Sequence, residues 1–248
     1  MLEQIIISLQ SLSPEYILTL EYITCFVAIL ALVRFFGAAG LFTYISLAVV
    51  IANIQVQKTV SFSFLNFPVA LGTIVFSSTF IAVDILNEFY GVAKARRAVW
   101  IGFMSSLLVT LLMVLTLGTL PGDDNSPPHQ AMIILFMPIP AIFIASLSSY
   151  LICQRFDIWI FCLIRKLTGG KYLWLRTSLA SITSSLLDNI IFSLLAFVVL
   201  APNPISIDKL IYTYILGTYI FRIIVSILQT PIIYFIRTLL KSGKVLDE

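Results

Sequence analysis

Ala95–Gly118 reads ARRAVWIGFMSSLLVTLLMVLTLG, and beyond Arg97 it carries no charged side chain. A helix rises about 1.5 Å per residue and the hydrocarbon core of a bilayer is about 30 Å thick, so about 20 successive apolar residues cross it. The stretch therefore reads as a transmembrane helix. Ile17–Val33, Leu41–Gln57, Phe67–Asn87, Met132–Cys153, Leu175–Leu200 and Leu210–Ile236 have the same character. Leu41–Gln57 is short and carries Asn53, Gln55 and Gln57 near its end, so the expected count is seven spans, or six if that segment is re-entrant. The whole chain agrees: 248 residues, 60% hydrophobic against 11% charged, with a mean hydropathy of +1.05, lie far outside the balance of a soluble domain. The expected fold is all-α, a single polytopic transmembrane helix bundle over residues 1–248, with no linker long enough to mark a second domain.

Fifteen Lys and Arg face twelve Asp and Glu, a net charge of +3 that is too small and scattered for a nucleic-acid surface. Its placement is informative. In a seven-span arrangement Arg34, Lys94, Arg96, Arg97, Arg155, Arg165, Lys166, Lys171, Arg176, Arg237, Lys241 and Lys244 share one side, which the positive-inside rule makes cytoplasmic. The C-terminus is then inside and the N-terminus outside, and the acidic loop Leu120–Gln130, with Asp123, Asp124 and the lone His129, lies outside. Met1-Leu2-Glu3 shows no basic n-region, so the first apolar run is expected to remain in the mature chain. Cys25, Cys153 and Cys162 follow neither a disulfide nor a metal-ligand spacing and read as packing residues. HExxH, CxxC, GxSxG and phosphate-loop motifs do not occur, so no metal, cofactor or enzymatic role is expected.

Ionisable groups inside a bilayer cost roughly 2.5–3.5 kcal/mol each on insertion scales, and they face the bundle interior where they mark a pathway or a pair. Helical spacing stacks Thr177, Ser181, Ser184, Ser185 and Asp188 on one face, and Thr218, Arg222, Ser226 and Gln229 on another. Asp188 precedes Leu200 by twelve residues and Arg222 follows Leu210 by twelve, so each lies about 18 Å from the outer end of its span. An Asp188–Arg222 ion pair is expected, either static or opening when substrate or a proton binds. Asp84 and Glu88 share a face of the third span, where two like charges repel unless a cation, for which Arg96 and Arg97 are placed, intervenes or one carboxyl stays protonated. Asn53 and Gln55 add amide donors and acceptors. Asn53 falls near the outer end and Asp84 near the inner one, so they occupy separate sites unless a segment is broken. Gln154, Arg155 and Asp157 read as an interfacial group.

Several blocks, in order, resemble one family. They are Asn53-Ile54-Gln55-Val56-Gln57-Lys58; Gly72 through Phe80–Gly91 (FIAVDILNEFYG) with Ala95-Arg96; and Ala145-Ser146-Leu147 through Tyr150 and Gln154 to Asp157. Leu173-Trp174-Leu175-Arg176, Leu187-Asp188 with Ile191-Phe192, and Thr230-Pro231 to Tyr234 follow. The resemblance, from Tyr44 to Tyr234, is to the integral-membrane queuosine-precursor transporters, also described as vitamin uptake transporters. It implies import of 7-deazaguanine bases such as queuine, preQ0 or preQ1 across a bacterial inner membrane, by a secondary transporter or, alternatively, by the substrate-binding subunit of an ATP-driven importer. A guanine-like edge presents N1–H and an exocyclic amine to one carboxylate, its carbonyl accepts from an amide or cation, and its ring stacks on aromatic faces. The candidate substrate-binding residues are Asn53, Gln55, Asp84, Glu88, Tyr90, Arg176, Asp188, Phe192 and Arg222, with protons and a second copy of the chain as further candidate partners. Thr177-Ser178 and Ser184-Ser185 stand where the family tends to carry amides, and these shorter side chains imply a roomier pocket favouring queuine.

Overall fold

The computed structural model describes residues 2–56, 58–63, 69–120, 122, 127–136, 140–200, 204 and 206–241, and among them the secondary structure is almost entirely helical. Helix α1 (Leu2–Gln10) precedes α2 (Pro14–Gln55), after which β1 (Thr59–Val60) and β2 (Val69–Ala70) form a small antiparallel hairpin, Thr59 opposite Ala70. Helix α3 (Thr73–Ile85) runs into a π-helical turn at Leu86–Tyr90, and α4 (Val92–Leu117), α5 (Pro127–Phe136) and α6 (Pro140–Leu167) follow. Helix α7 (Leu173–Leu194) continues as a π-helical segment, Leu195–Val199. The short α8 (Ile207–Lys209) leads through π-helical Leu210–Leu216 into α9 (Gly217–Lys241). Among the described residues, the helices long and apolar enough to cross a membrane are α2, α4, α6 from Ile144, and α7 with its extension, four in all.

Helix α2 begins where Ser13 caps it, its hydroxyl accepting from the Tyr16 N–H at 3.4 Å with Pro14 in the first turn. At 42 residues it would measure about 63 Å if straight, twice the bilayer core. It does not run straight. Gly37 takes φ 54 and ψ −132, a backbone that side-chain-bearing residues avoid, and the chain bends there. A methyl group on Gly40 would lie 2.2 Å from the Leu32 carbonyl oxygen, so the two arms touch beside the bend. The expected spans Ile17–Val33 and Leu41–Gln57 fall on these arms; Gln57 itself lies outside the described residues.

Helix α3 is the axis of the bundle. Ile74, Val75 and every residue from Ser77 to Ile85 are buried, Asp84 included, against α2, α4, α6, α7 and α9. Helix α4 turns small residues inward (Ala95, Ala98, Gly102, Ser106) and large ones outward (Met104, Leu108, Leu111, Leu115). This inverted pattern suits lipid on the outside, where bulky apolar groups need no protein partner and small ones let helices approach.

Three expected boundaries shift. The segment expected as a span from Phe67 begins instead with strand β2, because Gly72 at φ 82 starts the helix only at Thr73. Met132–Cys153 straddles α5 and α6, and α6 continues to Leu167 past Arg155 and Asp157. His129 sits on α5 rather than in a loop. Hydropathy averages over a window and does not register a left-handed glycine or a polar stripe that stays helical. Asp123, Asp124 and Lys244 lie outside the described residues.

Candidate functional site

Two polar layers cross the bundle interior. The first surrounds an open cleft with about 470 Å³ of empty space, lined by Ala52, Asn53 and Val56 of α2, Gly72, Thr73 and Phe76 around the start of α3, Ser146 of α6, Asp188 and Phe192 of α7, and Arg222 of α9. Gly72 permits the cleft: a methyl there would approach the Ala52 carbonyl oxygen to 2.8 Å, so α3 starts directly against the end of α2.

The Arg222 guanidinium rests on the Asp188 carboxylate, the contact expected from their level in the two spans. Ser149 donates to Asp188 Oδ1 at 2.5 Å, and Arg222 lies over the Phe76 ring, 5.4 Å from its centroid. Phe76 is held edge-on by Phe80 and Tyr150, at 5.7 and 5.9 Å between centroids. On the α2 wall, Asn53 Nδ2 donates to Ser106 Oγ at 3.0 Å and its Oδ1 accepts from Ser146 at 2.7 Å. One wall therefore offers a carboxylate and a guanidinium, another an amide, and aromatic rings lie between and beside them.

The second layer lies toward the start of α7, where Arg176 precedes Asp188 by a little over three turns. Arg176, 2% exposed, pairs with Glu88 and donates through Nη1 to the carbonyls of Gly170 at 2.9 Å and Lys171 at 3.3 Å. Arg165 stands 4.0 Å from the other Glu88 oxygen, and the Phe161 ring lies under Arg176 at 5.5 Å. Next to this lock, Asp84 and Asp157 adjoin each other, and Ser184 contacts Asp157 Oδ1 at 2.9 Å. Gln154 ties α6 to α3 by donating to Thr79 at 2.9 Å.

Of the residues singled out by sequence, Asn53, Asp188, Phe192 and Arg222 meet at the cleft, while Asp84, Glu88 and Arg176 belong to the second layer. Tyr90 sits beside that layer with Lys94 Nζ 5.4 Å from its ring centroid. Gln55 points away, donating to Glu21 at 2.6 Å, because two residues of a helix face nearly opposite sides. The cation on Glu88 is Arg176 rather than Arg96 or Arg97, which are exposed. Gln154 and Asp157 are not interfacial: both are 0% exposed, and only Arg155 of that group faces out, over Trp100 at 5.1 Å. The side chain of Gln229 lies outside the described residues. Phe76 was not singled out, Ser146 entered only within a family-like block, and Asp157 only as an interfacial residue. For α6 a signal existed: Ser146, Ser149, Cys153 and Asp157 form a stripe at i, i+3, i+7 and i+11.

Residues 70–236, which hold both layers apart from the α2 wall, match the family described as "Putative vitamin uptake transporter". The chain belongs to this transporter family. A relative from Bacillus subtilis (strain 168), named "Probable queuosine precursor transporter", is 32% identical over 220 residues, 88% of this chain and 93% of the relative. No solved structure matches. Family membership and the apolar helices together make the chain a multi-pass membrane protein.

Proposed function

We propose that the chain is a secondary importer of queuosine precursors, taking up 7-deazaguanine bases across the bacterial inner membrane with the cleft as its binding site. The observation that carries this is the cleft's combination of one carboxylate, one amide and one guanidinium around aromatic rings. The relative's name supplies the cargo class. The base's N1–H and exocyclic amine donate in parallel to Asp188, which exchanges Arg222 for the base. The freed guanidinium or Asn53 Nδ2 donates to the base carbonyl, and Phe76 and Phe192 cover the ring. Exchanging one charge-assisted contact for another keeps the buried carboxylate compensated throughout, which is what a reversible site requires.

Transport follows from opening each layer in turn. The cleft lies at the ends of α2 and α7 remote from the Lys- and Arg-rich loops, and the Glu88–Arg176 lock lies at the end near them. With the basic end cytoplasmic and seven crossings counted from the two arms of α2, α3, α4, α6, α7 and α9, base enters from outside and leaves past the lock. A preference for queuine over preQ0 and preQ1 is supported by the sequence alone, where Ser184 and Ser185 stand in place of longer amides just before Asp188; neither side chain lines the cleft itself.

Uptake of labelled queuine by cells unable to synthesise the precursor, with unlabelled preQ0 and preQ1 as competitors, tests cargo and preference. Strong competition by unlabelled queuine and weaker competition by the other two supports the reading. Absence of saturable uptake of all three contradicts it, and stronger competition by preQ0 overturns the preference.

A further inference from the structure

The carboxyls along the α3–α6–α7 interface divide unequally between two arginines. Arg222 is engaged with Asp188 and Arg176 with Glu88. Asp84 and Asp157, 2% and 0% exposed, adjoin each other with no ion-pair partner of their own among the described residues. The groups facing them are Glu88 from the π-turn, Arg176 and Ser184 from α7, and the Cys153 thiol one turn before Asp157 on α6, with Arg165 beyond Glu88. Two carboxylates buried side by side with no cation of their own repel each other, and a proton on one of them removes that repulsion. Ser184 reaches the same pair from α7. Its oxygen lies 2.6 Å from the Ala180 carbonyl and 2.9 Å from Asp157 Oδ1, and its single hydrogen properly serves one of these acceptors. Asp84 Oδ1 and Asp157 Oδ2, both buried, have no hydrogen-bond partner, so two acceptor oxygens stand open beside the pair.

The pair is wired to both layers. Asp157 touches Ser184, one helical turn before Asp188 in the cleft, and Asp84 is one turn before Glu88 in the lock. We propose that Asp84 and Asp157 form a proton-binding site whose proton, entering with the base, drives its accumulation. This rests on the importer reading above. The proton arrives from the outer side, bonds to an oxygen of one aspartate while hydrogen-bonded to the other, and leaves to water on the inner side. One positive charge crosses per base, and no other bond changes.

Two measurements on the purified full chain test the site. Infrared spectra at neutral pH should show a protonated-carboxyl carbonyl band that is absent in D84N and in D157N; this readout needs no cargo. In liposomes, a pH gradient of one unit, acid outside, supports roughly tenfold accumulation of labelled queuine per coupled proton. Wild type should approach that ratio, and both variants should fall to equal concentrations while still exchanging internal for external queuine. That exchange shows the variants folded and the cleft intact. The proposal is overturned if the band is missing from wild type, if either variant keeps gradient-driven accumulation, or if only a sodium gradient drives uptake. If wild type exchanges none of the 7-deazaguanine bases, the cargo reading fails while the infrared band still decides the proton site.

Discussion

At the level of single residues, the Asp188–Arg222 contact links structure to cargo. Removing one member of a buried ion pair leaves the other charged and uncompensated, at a cost of about 3–5 kcal/mol. Asp188→Asn should therefore lower the unfolding midpoint in detergent and abolish queuine binding. The swap D188R/R222D should recover much of the midpoint without recovering uptake, since the carboxylate then lies on α9 and approaches the base from another side. Equal loss of stability in the swap and in both single variants would argue against the contact. Phe76→Ala should raise KM for uptake by about tenfold, from a stacking contribution of roughly 1–3 kcal/mol, and Phe76→Trp should restore it. Asp188 and Arg222 were legible because both are rare groups whose depth is counted from the span ends. Phe76 was not, because nineteen phenylalanines in an apolar chain give no reason to choose one. Gln55 misled for a related reason: it looks like Asn53 in sequence but faces Glu21.

At the level of elements, the bend in α2 and the start of α3 make the cleft. Gly37→Ala forces a side chain into a conformation that costs about 1–3 kcal/mol, and a lowered thermal midpoint should report it. Gly72→Ala carries that strain and a clash with the Ala52 carbonyl as well. It should move α3 off α2, so its loss of queuine affinity should exceed that of Gly37→Ala. The helices themselves were legible from apolar run length. Their ends were not, because Gly72 and the Asp157 turn are decided by backbone conformation and by partners on other helices. Asp157 looked interfacial in sequence, and its place inside depends on Asp84 and Ser184, which are distant in the chain.

For the whole molecule, the basic loops imply an orientation that chemical labelling can check. In a variant lacking Cys25, Cys153 and Cys162, a cysteine at Lys171 should react with an impermeant reagent only after cells are opened, and one at Ser206 should react in intact cells. The reverse pattern would invert the direction of transport argued here. Sequence alone carried the membrane class and the family-like blocks, but it left Asn53 and Asp84 in unresolved tension. The two-layer arrangement explains that tension, with Asn53 in the cleft and Asp84 beside the lock at the other end of the bundle.

The central claim is that this chain alone carries a 7-deazaguanine base through the Asp188 cleft. Exchange of labelled queuine by the purified chain in liposomes, without ATP or a second protein, tests it most directly. Saturable exchange that Asp188→Asn abolishes is the predicted result; entry that requires an ATP-driven partner, or that is unchanged in Asp188→Asn, would contradict it.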